Sequence, residues 1–328
     1  MPNRYVWTSC MLVCGIACAN APAQVYPSKP IRLIVPAPPG GGNDTLAREI
    51  GQRMSESMGQ PVVVDNRPGA SMMIAAGLAA KAAPDGYSIF MGNNSVLSIN
   101  PGLFKSLPYD PVKDFAPITM LASAPFVLLV HPSVPAKNVR ELIALAKAHP
   151  GQLNFASSGS GISNHLAGEM LKSMAKISIV HVPYKGGGPA LIETIAGQVE
   201  MFFTNIPSGL PHIKSGRLRA LAVTSAQRSA ALPELPTVRE TGPELAGYEV
   251  STWYGMVAPA ATPRPIIDQL HSGMVRILEN PKVRGRFASE GADIIGNTPE
   301  EFARVIRGDI EKWKRVIRET GIKMDMPT

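Results

Sequence analysis

The chain has 328 residues, 45% hydrophobic and 17% charged, with 32 Lys and Arg against 25 Asp and Glu. That apolar share excludes a disordered chain, and 31 Pro with 30 Gly in no short period exclude collagen-like or low-complexity architecture. A single core stops growing near about 250–300 residues, so the length suggests two domains.

No internal run reaches the ~18–20 apolar residues of a membrane-crossing helix. The basic residues from Arg264 onward are interleaved with acidic ones, as on a solvated helix face, so no nucleic-acid partner is expected. Residues 1–23 read as an export signal: Arg4 is their one charge, residues 11–19 are apolar, and Ala21-Pro22-Ala23 fits a small-x-small cleavage site. The mature chain would begin at Gln24. Cys10, Cys14 and Cys18, the only cysteines, would leave with the signal, so neither disulfides nor cysteine metal sites are expected. A lipid anchor would use Cys18, but Gly15 stands where such a motif wants a large aliphatic residue.

The run Ile31-Arg32-Leu33-Ile34-Val35 suits a buried parallel strand, and residues 36–42, rich in Pro and Gly, break it. Asp44 can cap a helix whose apolar positions Leu46, Ile50 and Met54 recur every four residues. A strand at residues 62–64, a turn at Arg67-Pro68-Gly69, a small-residue helix over 71–82 and a strand over 87–91 complete the unit. The same order returns: strand 153–156, a Ser/Gly loop over 157–161, a helix that Ser163 can cap, strand 177–182, the turn at 184–188, a helix with Pro189 at its first position, and strand 201–203. Gly40 and Gly69 lie 29 residues apart and Gly159 and Gly186 lie 27 apart, which supports matched architecture in two halves.

Such alternation predicts an α/β fold, periplasmic-binding-protein-like, with two lobes that each hold a mostly parallel sheet flanked by helices. Ligands in these sheets sit beyond the carboxyl ends of the strands, where the glycine corners fall. Crossings at residues 121–126 and 248–255 divide the mature chain into lobe 1, residues 24–124 and 251–328, and lobe 2, residues 125–250.

Backbone N–H groups at loop-to-helix junctions are ready sites for a carboxylate or phosphate. Pro38 and Pro39 stiffen the approach to Gly40, Gly41 and Gly42. Ser158, Ser160 and Ser163 supply hydroxyls beside Gly161, and Gly187 and Gly188 make a third corner. Ser95, Thr204 and Asn205 follow the third strand of each unit, and Trp253 and Tyr254 can wall the cleft or pack in the core. No Lys or Arg lies in the first two loops, so anion recognition would rest on amides, hydroxyls and bridging water. The dinucleotide and phosphate-loop fingerprints fail at these corners, and no helix carries a metal-binding His pair. No cofactor or metal is expected. A serine hydrolase using Ser160 with His165 or His181 is the alternative, although the nucleophile-elbow glycine is missing before Ser158.

The run Tyr26-Pro27-Ser28-Lys29-Pro30 leading through Pro39-Gly40-Gly41-Gly42-Asn43-Asp44 resembles the start of a mature Bug-type solute receptor, the extracytoplasmic receptor of tripartite tricarboxylate transporters. Val64-Asp65-Asn66-Arg67-Pro68-Gly69, Ala83-Pro84-Asp85-Gly86-Tyr87, His165-Leu166-Ala167-Gly168, Tyr184-Lys185-Gly186-Gly187-Gly188-Pro189-Ala190 and Trp253-Tyr254-Gly255-Met256 extend the resemblance along the whole mature chain. It implies a periplasmic, non-enzymatic receptor that closes two lobes on a small organic acid and works as a monomer with membrane transporter subunits. It further implies that residues 38–44, with Asn43 and Asp44, clamp a carboxylate through backbone and water. Residues 157–165, with His165, and residues 184–190, with Tyr184, would hold the remainder.

Overall fold

Alternating burial along β1 (Ile31–Val35) explains the layering of the molecule: Ile31, Leu33 and Val35 enter one hydrophobic core and Ile34 the other, so both faces of the strand are covered. The computed structural model describes residues 26–39, 42–289 and 291–322. The export-signal segment lies outside them.

After β1 come α1 (Gly42–Met58), β2 (Val62–Asn66), α2 (Met73–Ala80) and β3 (Ser88–Asn93), with β1 parallel to both β2 and β3. A π-helical turn, Ser95–Ile99, runs into the short α3 (Asn100–Leu103). Then β4 (Phe115–Val130), sixteen residues long, carries the chain along the sheet to α4 (Val139–Ala148). The second unit is β5 (Asn154–Ser157), α5 (Ser163–Ala175), β6 (Val180–Pro183), α6 (Gly187–Ile195) and β7 (Met201–Asn205), with β5 parallel to β6 and β7. There follow α7 (Ile206–Lys214), β8 (Arg219–Val223), β9 (Ser251–Pro259), α8 (Arg264–Glu279), α9 (Pro281–Ser289), β10 (Asp293–Ile294) and α10 (Pro299–Thr320).

The sheet order is β2-β1-β3-β9-β4-β7-β5-β6, with β8 and β10 also pairing with β4. Residues 115–125 of β4 run antiparallel to β9, and residues 126–130 run antiparallel to β7 and β8. Each βαβ unit is therefore parallel, as the alternation predicts, but the two passages between them are antiparallel, because long strands and not crossover helices make the connection. No helix of the described residues is long and apolar enough to cross a membrane.

Local departures have physical reasons. α1 begins at Gly42, so Asp44 lies inside its first turn and not at its cap. α6 begins at Gly187, which makes Pro189 its third residue; Gly197, at φ 71°, ends it in the left-handed region as a helix-terminating glycine does. The helix expected over 71–82 is α2, shorter because Ala70, Ser71 and Met72 have φ of 45°, 50° and 72°. Left-handed backbone costs a non-glycine residue about 1–3 kcal/mol. The turn is held by Asn100, whose Nδ2 donates to the Ser71 carbonyl at 2.9 Å, and by packing of Ala70 and Met72 on the core.

Candidate functional site

Four helices begin at one cavity of about 410 Å³. Asn43 of α1, Ser163 and Asn164 of α5, Gly187 and Gly188 of α6, and Asn205 and Ser208 at the start of α7 all line it. α5, α6 and α7 follow Ile162, Gly186 and Asn205, none of which caps its helix through a side chain. Away from the cavity, α4 and α10 are capped by the Asn138 and Thr298 side chains, whereas α8, which follows Pro263, has no side-chain cap. An uncapped N-terminus leaves amide hydrogens and the positive end of the helix dipole for another acceptor. Not one of the described residues lining the cavity carries a charge. The groove of about 840 Å³ beside residues 101–114 is larger, but no glycine corner lines it.

The walls are tied across the cleft. Ser163 Oγ, at the start of α5, donates to Asn94 Oδ1 at 2.9 Å and lies 3.2 Å from Ser95 Oγ on the π-helical turn. Asn94 Oδ1 also accepts from Thr252 Oγ1 at 3.3 Å, and its Nδ2 donates to the Ser251 carbonyl at 2.8 Å. Asn164 Nδ2 holds the serine loop by donating to Ser158 Oγ at 2.8 Å and to the Phe203 carbonyl at 3.1 Å. By contrast, Asn43 Nδ2 and Asn205 Oδ1 are buried with no partner, and both residues line the cavity. Asn43 is 8% exposed, so an unused amide donor is stored where a ligand would displace water.

Behind the serine loop, His165 and His181 stack with ring centroids 3.8 Å apart. His165 Nδ1 accepts from the Gly161 amide at 3.0 Å, and His181 Nε2 lies 2.6 Å from Ser157 Oγ. Burial, then the charges of His181 and Lys172, pull the His165 pKa down to about 3. Burial, then Lys172, takes His181 to about 4. Both rings are neutral props for the loop at pH 7.

A family model, the tripartite tricarboxylate transporter family receptor, matches residues 46–322. The chain belongs to that family. Its relatives include Protein BugT of Bordetella pertussis, 38% identical over 312 residues and 94% of each chain. A solved structure described as that of a periplasmic transporter is 42% identical, with a TM-score of 0.83 over 92% of this chain and 100% of its own. Rpa4515 of R. palustris, solved with adipate, is 35% identical, with a TM-score of 0.84 over 91% and 99%. Receptors of the tripartite tricarboxylate transporter family bind and deliver solutes and are not enzymes.

This receptor's expected ligand residues divide by position. Asn43, Ser95, Ser158, Ser163, Gly187, Gly188, Thr204 and Asn205 come together on the cavity. Gly40 and Gly41 lie outside the described residues, and Pro38 and Pro39 are exposed on the approach. Asp44, 2% exposed, does not line the cavity: its carboxylate takes Arg48 Nε and Asn66 Nδ2, each at 2.9 Å. Tyr184 does not line the cavity and packs instead against the small core of Ala156, Ala190, Val199 and Phe202. Trp253 turns to the opposite face of β9 from Thr252 and Tyr254, donates from Nε1 to Asp309 at 2.7 Å and meets Phe302 edge-on. The hydrolase alternative fails here, since Ser160 makes no hydrogen bond to either histidine among the described residues; His181 is engaged by Ser157, which is fully buried. Gly161 and His165 support the loop from behind.

Met72, Asn93, Phe126, Ile162, Asn164, Ser208 and Thr252 line the cavity without having been singled out in the sequence. The period-two alternation of β9 could have found Thr252. Met72 had no signal to offer, because a left-handed turn without glycine has no sequence signature.

Proposed function

We propose that this receptor captures a small organic carboxylate in the cavity between two lobes and presents it to membrane subunits of a tripartite tricarboxylate-type transporter. The observation that carries the reading is the convergence of helix N-termini, three of them without side-chain caps, on a cavity free of charged side chains. Amides and dipoles aimed at one point favour an anion without a resident cation. Adipate in Rpa4515 supports the same ligand chemistry.

The lobes are taken as residues 24–124 with 251–328, and 125–250, with β4 and β9 as the hinge. Ligand favours the closed arrangement because only then do both walls contact it. Cleavage after Ala23 would place the mature monomer in the periplasm. The test is a thermal-shift screen of small organic acids on the protein from Gln24, with mass analysis of any acid carried through purification. A melting rise with an acid, absent with its amide, is the expected result. No shift with any acid, or an equal shift with the amide, would overturn the proposal.

A further inference from the structure

We infer that a second cavity, behind the β4–β9 hinge, controls closure over the first: bulk that fills it holds the receptor in its closed, ligand-binding arrangement. The inference rests on the two-lobe reading above and concerns the side of the hinge that the ligand does not meet.

The two strands show different faces to the two cavities. Phe126, Thr252 and Tyr254 line the ligand cavity. A separate cavity of about 520 Å³ is lined instead by Ser123 and Pro125 of β4 and by Ser251 of β9. Pro125 pairs with Ser251 and Ala124 with Thr252. Successive residues of a strand point to opposite faces, so the cavities lie on opposite sides of the same two strands. Each lobe supplies one rim of the second cavity. Ala288, Gly291 and Ile295 come from lobe 1, and residues 225–231 come from lobe 2.

Both rims are fixed to their own lobe. The Ile295 amide donates to the Leu121 carbonyl at 3.1 Å, and Asp293 pairs with Ser123. Across the cavity, Arg228 Nη2 meets Glu240 at 2.7 Å, and the Val223 amide donates to the Pro236 carbonyl at 2.9 Å. A bend at β4 and β9 that parts the ligand walls must therefore drive these rims toward each other. They have little room to approach. A Cβ on Gly291 would stand 2.9 Å from Ile206 Cδ1 and 3.4 Å from Ala231 Cβ, both in lobe 2. Packed atoms compress little, so added bulk here resists opening. In this structure the ligand walls meet, with Ser95 and Ser163 hydroxyls 3.2 Å apart, and the second cavity stands wide. Left empty, it lets the cleft open; filled, it keeps the cleft shut.

The experiment measures the separation of the lobes directly. Spin labels at Ile74→Cys of α2 and Ile192→Cys of α6, both exposed and each just past the start of a helix on opposite walls, report it by double electron–electron resonance. The protein begins at Gln24 and is measured alone and with adipate. Ala230→Trp and Ala288→Trp fill the cavity from opposite rims at exposed positions, so a failure of one to fold leaves the other. Each should move the ligand-free population toward shorter separations. Ile295→Ala, which removes bulk from the rim, should move it toward longer ones. If adipate shortens the separation in the parent, it should bind the tryptophan variants about threefold or more tightly, because less of the protein is held in the open state that cannot grip it. Tryptophans that lengthen the separation, or no change in all three variants while adipate shortens the parent, would overturn this inference and leave the receptor reading standing. One fixed separation throughout would overturn the inference and the hinged closure with it.

Discussion

Asn94 shows how one buried side chain can hold a cleft together. It is 1% exposed, and its amide meets Ser163 from α5 and both Ser251 and Thr252 from β9. Removing it strands buried hydroxyls and a carbonyl, each costing about 1–3 kcal/mol when unpaired. Asn94→Ala should therefore lose at least about 2 kcal/mol in urea denaturation and weaken acid binding. The sequence hides this role, because an Asn after a strand reads as a turn residue and its partner Ser251 lies 157 positions away. The serine loop behaves differently, because titratable rings support it. An unfolded chain protonates His165 and His181 as pH falls below about 6.5, whereas the folded protein does so only near 3 and 4, respectively. Between those limits the unfolded state binds up to two more protons, so each unit by which pH is lowered removes as much as about 2.7 kcal/mol of stability. Protonating His165 Nδ1 would also set it against the Gly161 amide it accepts from, so acid affinity should fall only near pH 3, where the folded protein takes up that proton. Urea midpoints from pH 7 to pH 4 check the slope, which His181→Gln should roughly halve.

At the scale of elements, the loop-to-helix corners were legible because their chemistry is local: glycine, serine and proline mark where a strand ends and a helix begins, and six of the strands expected in the repeated units form within a few residues of their expected places. The antiparallel passages and the turn at residues 70–72 were not legible, since tertiary pairing and core packing impose them. α6 offers a direct test of a corner. A Cβ at Gly188 would meet no atom within 4 Å, yet the residue lines the cavity. Gly188→Val should therefore fold with a melting temperature close to that of the parent, at most about 1 kcal/mol less stable, while acid affinity falls at least tenfold because the side chain stands where the ligand meets the helix start. Unaltered affinity in a folded variant would argue against α6 as part of the anion site. Gly168 makes the opposite case: a Cβ there would come within 2.1 Å of the Phe155 ring, so α5 can lie against β5 only without one.

Across the whole molecule, β4 and β9 connect the two ends of the sheet, and Thr224 ties them where they pass: its Oγ1 accepts from the Phe126 amide at 2.8 Å and donates to the Val250 carbonyl at 2.6 Å. Bending at this pair of strands would move α5, α6 and α7 as one body away from α1 and the π-helical turn. Ser95 and Ser163 report that motion, because their hydroxyls lie 3.2 Å apart on opposite walls and 68 positions apart in the chain. With all three cysteines confined to residues 10–18, a protein beginning at Gln24 carries no competing thiol. Ser95→Cys with Ser163→Cys should oxidise, since hydroxyls 3.2 Å apart put the two side chains within reach of each other and the longer Cβ–S bonds narrow the gap to the S–S length of about 2 Å. Closing a loop of this length should raise stability by about 4 kcal/mol against the reduced double variant. The oxidised protein should neither take up added acid nor release acid trapped before oxidation, and reduction should restore both. If the oxidised form exchanges acid as fast as the reduced one, the ligand does not enter through this cleft, and the hinged closure is wrong.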